Sequence, residues 1–183
     1  MTSRFRHAAL IGKYQAQGMR PLLEEIAHLL TRRGLEVSIE VDTALNTGLT
    51  GYPMLTPDEL GQHCDLAIVV GGDGTMLGIA RTLARYGVPM VGINQGRLGF
   101  ITDIPVASVT QALRAMLAGD YEEEHRAMLD GRVVRSGEAI STAVALHDVV
   151  LGGSREGALW QAKGQDVAIS GEGRTNDGRV AAW

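Results

Sequence analysis

The sequence predicts an α/β fold in which a mostly parallel sheet covered by helices is followed by the beginning of an incomplete, β-rich unit. Three observations carry this expectation. Short continuous apolar runs, "HAALIG", "CDLAIVV" and "VPMVGI", alternate with segments of helical periodicity in the first part of the chain. Runs apolar on both faces and separated by helices belong to parallel sheets. A glycine-rich turn, "VVGGDGTMLG" at 69–78, joins one such run to the helix that follows it. Beyond Gly119 the helical period stops, and β-prone runs separated by Asp130-Gly131 and Ser136-Gly137 take over, which is hairpin chemistry. The expected division is 1–118, an α/β nucleotide-binding domain; 119–151, the start of a β-rich unit; and 152–183, an atypical, poorly ordered tail.

Each element has a local reason. Ala8–Ile11 reads as a buried strand, and the turn-like "GKYQAQG" leads into "MRPLLEEIAHLLTRRG". There Met19, Leu22, Leu23, Ile26, Leu29 and Leu30 recur at the three-and-four spacing of one helix face. Pro21 suits the first turn, Arg32 and Arg33 complement the helix dipole, and Gly34 supplies a left-handed stop. "LEVSIEV" alternates apolar Leu35, Val37, Ile39 and Val41 with polar residues, the pattern of a strand with one wet face. Residues 42–63 read as a loop. After the strand "CDLAIVV" and the glycine turn, "TMLGIARTLARYG" reads as a helix closed by Gly87, and "VPMVGI" as another buried strand. "PVASVTQALRAMLAG" places Val106, Val109, Leu113, Met116 and Leu117 on one face of a third helix. From Gly152 to Trp183 glycines interrupt the chain so often that no helical or strand period survives.

Composition removes several function classes. The 183 residues are 45% hydrophobic and 21% charged, a globular balance. A net charge of -4 argues against a general polyanion-binding surface, so nucleic acid is not an expected partner. The single cysteine, Cys64, forms no internal disulfide or cysteine cluster and opens an apolar run where a buried thiol is expected. The triple acid at 122–124 reads as a solvated face. No apolar stretch is long enough for a membrane span or a signal-peptide core, so the expectation is a cytoplasmic protein with no membrane partner.

The glycine turn carries the chemistry. Between a buried parallel strand and a helix, Gly71, Gly72 and Gly74 let backbone N–H groups approach phosphate oxygens, and the helix N-terminus adds partial positive charge. The turn lacks the Lys of a Walker A loop and the glycine spacing of the dinucleotide fingerprint. Asp73 in its middle has two readings. It, or Thr75, caps the following helix; or its carboxylate accepts a proton from a hydroxyl that attacks a phosphoryl group, with Mg²⁺ on the donor masking the charge.

Gly71-Gly72-Asp73-Gly74-Thr75 resembles the signature shared by NAD kinases, diacylglycerol-type lipid kinases and, more loosely, phosphofructokinases. "GINQGRLGFITD" at 92–103 is similar to the second NAD kinase motif, and the resemblance to bacterial NAD kinases runs from about residue 7 to 150. It implies a Rossmann-like, phosphofructokinase-like N-terminal domain. It also implies transfer of the γ-phosphoryl of ATP, with Mg²⁺ or another divalent cation, to the 2′-hydroxyl of the adenosine ribose of NAD. Asp73 is then the proton acceptor, Gly74 contacts the dinucleotide, and Asn94 and Phe100 line the adenosine side. Asn94 as a turn residue, Phe100 as core and Arg97 as a surface charge are the competing structural readings. No residue is assigned to a resident metal.

The chain departs from the family pattern in two places. In "ALHDVVL" Asp148 matches the third motif, but His147 stands where the family has Asn; an imidazole cannot present the amide's paired oxygen and NH₂. From Gly152 onward nothing matches, neither the Asp-Gly motif nor the Thr-Pro-Thr-Gly-Ser-like stretch that completes the NAD site. The expectation is a truncated or frame-altered NAD kinase, weakly active or inactive as it stands, and a homo-oligomer if the second domain were complete. The alternatives are a non-catalytic nucleotide-binding fragment, or a lipid or sugar kinase sharing the Gly-Gly-Asp-Gly-Thr turn.

Overall fold

The computed structural model describes residues 4–13, 18–96, 99–126, 128–135, 138–146 and 167–171. The chain divides into two compact units, Met1–Glu123 and Glu124–Trp183.

In the first unit β1 (His7–Gly12), α1 (Met19–Arg32), β2 (Glu36–Glu40), α2 (Val41–Thr47), β3 (Met54–Leu55) and α3 (Pro57–His63) are followed by β4 (Leu66–Gly71), α4 (Asp73–Leu83), β5 (Met90–Asn94), β6 (Ile104–Pro105) and α5 (Val109–Leu117). Strand order is β3-β2-β1-β4-β5-β6, and every pairing is parallel. The period of two along each strand sorts the core into two layers. Ala8 and Leu10 of β1 and Leu66, Ile68 and Val70 of β4 pack with Leu23, Ile26 and Leu30 of α1 and Leu113 of α5. The intervening Ala9, Ile11, Ala67 and Val69 pack with Leu60 of α3 and Met76, Ile79 and Leu83 of α4. Helices on both faces explain why β1 and β4 are continuously apolar.

The seven α1 residues buried include all six of the predicted stripe. The helix ends in a Schellman arrangement, with Leu35 N donating to Leu30 O, Gly34 N donating to Thr31 O, and Gly34 at φ +85°.

Four expectations for the first unit are corrected. The stretch 42–63 is not a loop: it holds α2, β3 and α3, the last opened by a capping box between Thr56 and Glu59 with Pro57 in its first turn. The polar face of β2 is wet only toward its ends: Glu36 is exposed and Glu40 half-buried, but Ser38 between them is fully buried and its hydroxyl lies 2.8 Å from His7 Nε2. α4 begins at Asp73 rather than Thr75, with Gly72 at the N-cap. The third helix is divided into a 3₁₀ turn at Val106–Ser108 and α5, and is preceded by the short strand β6.

The second unit contains a three-stranded antiparallel sheet in the order β8-β7-β9, with β7 at Leu129–Arg135, β8 at Glu138–Ala145 and β9 at Val167–Gly171. Asp130-Gly131 is not a turn but lies within β7, paired across to Val144 and Ala143. β9 forms in the glycine-rich region where no strand period is visible in the sequence; its register puts Gly171 opposite Leu129. Among the described residues no helix is long and apolar enough to cross a membrane.

Candidate functional site

The strand order reverses between β1 and β4, and ligands of open α/β sheets bind beyond the carboxyl ends of the strands at such a switch point. Gly71 is the last residue of β4, so the glycine turn occupies that position. A Cβ on Gly71 would lie 2.6 Å from Thr75 Oγ1 and 3.2 Å from Lys13 Cβ, so packing requires glycine there. Gly72 and Gly74 are different, since a Cβ on either would meet no atom within 4 Å. Packing gives no reason for glycine at those two positions, whereas close approach of a ligand to bare backbone does. Among the described residues no side-chain hydrogen bond caps α4, whose N-cap is Gly72, so neither Asp73 nor Thr75 takes there the capping role that the sequence allows.

Asp73 instead faces the segment that follows β5. Its Oδ2 accepts a hydrogen bond from Phe100 N at 2.7 Å. Its Oδ1 accepts three, from Ile101 N at 3.2 Å, Thr102 N at 3.1 Å and Thr102 Oγ1 at 3.0 Å. Desolvation pushes the carboxyl's pKa up, but the bonds from Phe100, Ile101 and Thr102 together outweigh it and hold the pKa below the ordinary aspartate value. Asp73 is therefore an anion at neutral pH, clamped among the described residues by three amides and the Thr102 hydroxyl rather than by a cation.

The partner segment is built to reach it. Gly99 N donates to Thr102 O at 3.2 Å, closing a tight turn, and a Cβ on Gly99 would overlap both the Asp73 carboxylate and Thr102 Oγ1. Asn94 ends β5 and is buried. Its Nδ2 donates to Thr102 O and to Thr102 Oγ1, both at 3.1 Å. Asn94 thus supports the 99–102 turn from beneath. Phe100 is 73% exposed, which rules out the core-packing reading. Gly99, Ile101 and the fully buried Thr102 are the site residues that sequence reasoning passed over, although all three stand inside the quoted second motif.

The structure therefore brings Gly71, Gly72, Asp73, Gly74 and Thr75 together with Asn94 and Phe100. His147, Asp148 and Arg97 lie outside the described residues. Beside the turn, after the end of β1, is a cavity of about 180 Å³ lined by residues that include Lys13, Arg20, Asn46 and Thr47. That is below the ~300 Å³ lower end of ordinary ligand sites. Among the described residues no three His, Cys, Asp or Glu side chains are grouped to hold a metal ion.

Comparison with known proteins identifies the family and the fold. Residues 9–121 match the family model of the ATP-NAD kinase N-terminal domain. The chain is 59% identical over 155 residues to an NAD kinase of Methylibium petroleiphilum and 60% identical over 151 residues to one of Polaromonas naphthalenivorans; each match covers 82% of this chain and 52% of the relative. The chain thus spans about half the length of these curated relatives. Its fold is similar to that of a yeast NADH kinase crystallised with NADH, at a TM-score of 0.63 and 18% identity, over 76% of this chain and 46% of that one. With the family model matched across both motifs, the chain belongs to the ATP-NAD kinase family.

Proposed function

We propose that this chain carries the phosphoryl-transfer half of an NAD kinase active site, and that the reaction is transfer of the γ-phosphoryl of ATP to the 2′-hydroxyl of the adenosine ribose of NAD. The observation that carries the reading is the contact between the two motifs: Asp73 of the glycine turn is hydrogen-bonded to Phe100, Ile101 and Thr102 of the second motif. In the reaction the ribose 2′-oxygen attacks the γ-phosphorus, the bond from that phosphorus to the β,γ-bridging oxygen breaks, and ADP leaves. The hydroxyl proton passes to Asp73. A carboxylate with a lowered pKa is a weak base, and a loose phosphoryl-transfer transition state asks little of one, because the proton is needed late.

Gly72 and Gly74 offer bare backbone to the ligand at the N-terminus of α4, where phosphate is favoured. In this reading residues 1–118 are the nucleotide-binding domain and 119–151 open the β-rich NAD-binding domain, with His147 and Asp148 toward the nicotinamide side. In this reading Mg²⁺ is carried by the triphosphate of ATP, the usual way that this ion enters a phosphoryl-transfer site. Cytoplasmic location and self-association of the completed enzyme are part of the same proposal and rest on composition and resemblance.

The test is NADP formation from NAD and MgATP by the purified chain, read by a cycling assay specific for NADP. Slow NADP formation, lost in Asp73→Asn, is expected. Phosphorylation of a lipid or sugar hydroxyl in preference to NAD, or nucleotide binding with no turnover in a folded chain, would replace the proposal by a different kinase or by a non-catalytic fragment.

A further inference from the structure

The geometry points to Thr102 as a positioning residue that occupies one oxygen of Asp73 and leaves the other to face the acceptor hydroxyl; this rests on the NAD kinase reading of Asp73. The first step is the direction of the hydrogen bonds. Thr102 O is a carbonyl and can only accept, so the Asn94 side-chain nitrogen 3.1 Å from it must be the NH₂ group. That same NH₂ lies 3.1 Å from Thr102 Oγ1, which must therefore accept from it. The single hydroxyl proton of Thr102 is then committed to Asp73 Oδ1 at 3.0 Å. The chain Asn94 to Thr102 to Asp73 runs one way only.

The second step is the rotamer. Thr102 is fully buried, and its methyl fills the space beside Gly92 on β5: a Cβ there would lie 2.9 Å from Thr102 Cγ2. Packing on the methyl side and Asn94 on the hydroxyl side fix χ1, so the hydroxyl reaches Asp73 without further ordering.

The third step is capacity. A carboxylate offers about two acceptor sites on each oxygen. Oδ1 already takes three donors, Ile101 N and Thr102 N at 3.2 and 3.1 Å and the Thr102 hydroxyl, the shortest of them, at 3.0 Å, and has no room for a further one, whereas Oδ2 accepts only Phe100 N among the described residues. Oδ2 keeps a lone pair for the ribose hydroxyl.

Charged groups around Asp73 do not provide this discrimination. Among the described residues Lys13, which follows β1, forms no salt bridge with Asp73; Asp103, which follows Thr102, carries the same sign of charge and offers Asp73 no ion pair. Asp58 of α3 is engaged with Arg85 at 3.4 Å, and Glu59 with the Thr56 cap. His63 is in the last turn of α3, and Arg81 is two turns along α4 from Asp73.

The experiment is a ¹³C NMR titration of the Asp73 carboxyl in the full chain, compared with Thr102→Val, Thr102→Ser and Thr102→Ala. The Val variant keeps shape and removes the hydroxyl; the Ser variant keeps the hydroxyl. The Ala variant serves if Val misfolds. The expected result is a midpoint shifted to higher pH in Val and Ala and restored to the parent value in Ser. The acid limb of the pH profile of NADP formation should move in the same sense. Identical midpoints in all variants, or an equal shift in Ser and Val, would overturn the proposal. The titration needs no turnover, so its failure is distinct from failure of the NAD kinase reading, which NADP formation tests separately.

Discussion

Replacing Asp73 by Asn is the usual way to remove a base while keeping shape, but here it should also loosen the 99–102 turn. Asn has one acceptor oxygen, and the parent carboxylate uses both. The less costly orientation points the amide oxygen at Ile101 and Thr102 and sets the NH₂ against Phe100 N–H, which donates at 2.7 Å in the parent. A hydrogen bond to a charged group is worth about 1.5–3 kcal/mol, against ~0.5–1.5 kcal/mol for a neutral one. Because Phe100 is 73% exposed, its amide can turn to water. The net loss is then about 1–2 kcal/mol, or a roughly 5- to 30-fold rise in the population of the opened turn. Amide hydrogen exchange at Phe100, Ile101 and Thr102 reads this directly, with β4 amides as the internal reference. Equal exchange in the two proteins would refute the reasoning. Acid should act in the same direction. Hydrogen bonds lower the folded carboxyl's pKa despite desolvation, so its stabilisation is complete above the unfolded pKa. It is lost as pH falls through the lower folded value. Exchange at these amides, corrected for its intrinsic pH dependence, should therefore accelerate only in acid below the ordinary aspartate range.

Two further outcomes follow from packing. Gly61, buried in α3, is covered by the Tyr86 ring, which a Cβ would overlap. Gly61→Ala should lower stability by ~1–3 kcal/mol in a thermal melt; an increase would mean that the ring swings aside from its 2.7 Å bond to Asp58. Burial, with a smaller contribution from Asp65, pushes the Cys64 thiol up to about 12. The native protein at pH 8 should therefore resist iodoacetamide, and the urea-unfolded chain should react; rapid native alkylation would contradict the buried, protonated thiol.

The α1 stripe, the apolar runs of β1 and β4 and the glycine stop at Gly34 are visible in the sequence because each depends on residues within a turn or two of one another. The elements between 42 and 63 are harder to see by periodicity. α2 buries only Thr43 and Ala44, α3 buries only Leu60 and Gly61, and β3 is two residues long. One local signal was nevertheless present, since Thr56-Pro57-Asp58-Glu59 spells a capping box with proline in the first turn. Buried Ser38 is a different failure: alternation reports polarity, and a serine paired to His7 inside a two-sided sheet looks the same as one facing water.

For the site, the order of residues 69–78 by itself determined a phosphate-compatible turn between a buried strand and a helix, and the two motifs determined the family. It left Asp73 with two roles, because a carboxylate suits a helix N-terminus as well as a proton transfer. Only the tertiary structure decided that this carboxylate caps nothing and is held by residues 27–29 positions away. The physical reason is parallel topology. β5 lies beside β4 with Asn94 opposite Gly71, so the turn after β5 passes over the start of α4 and brings its amides to the acid. Such a contact is set by strand order, which no local pattern of residues contains.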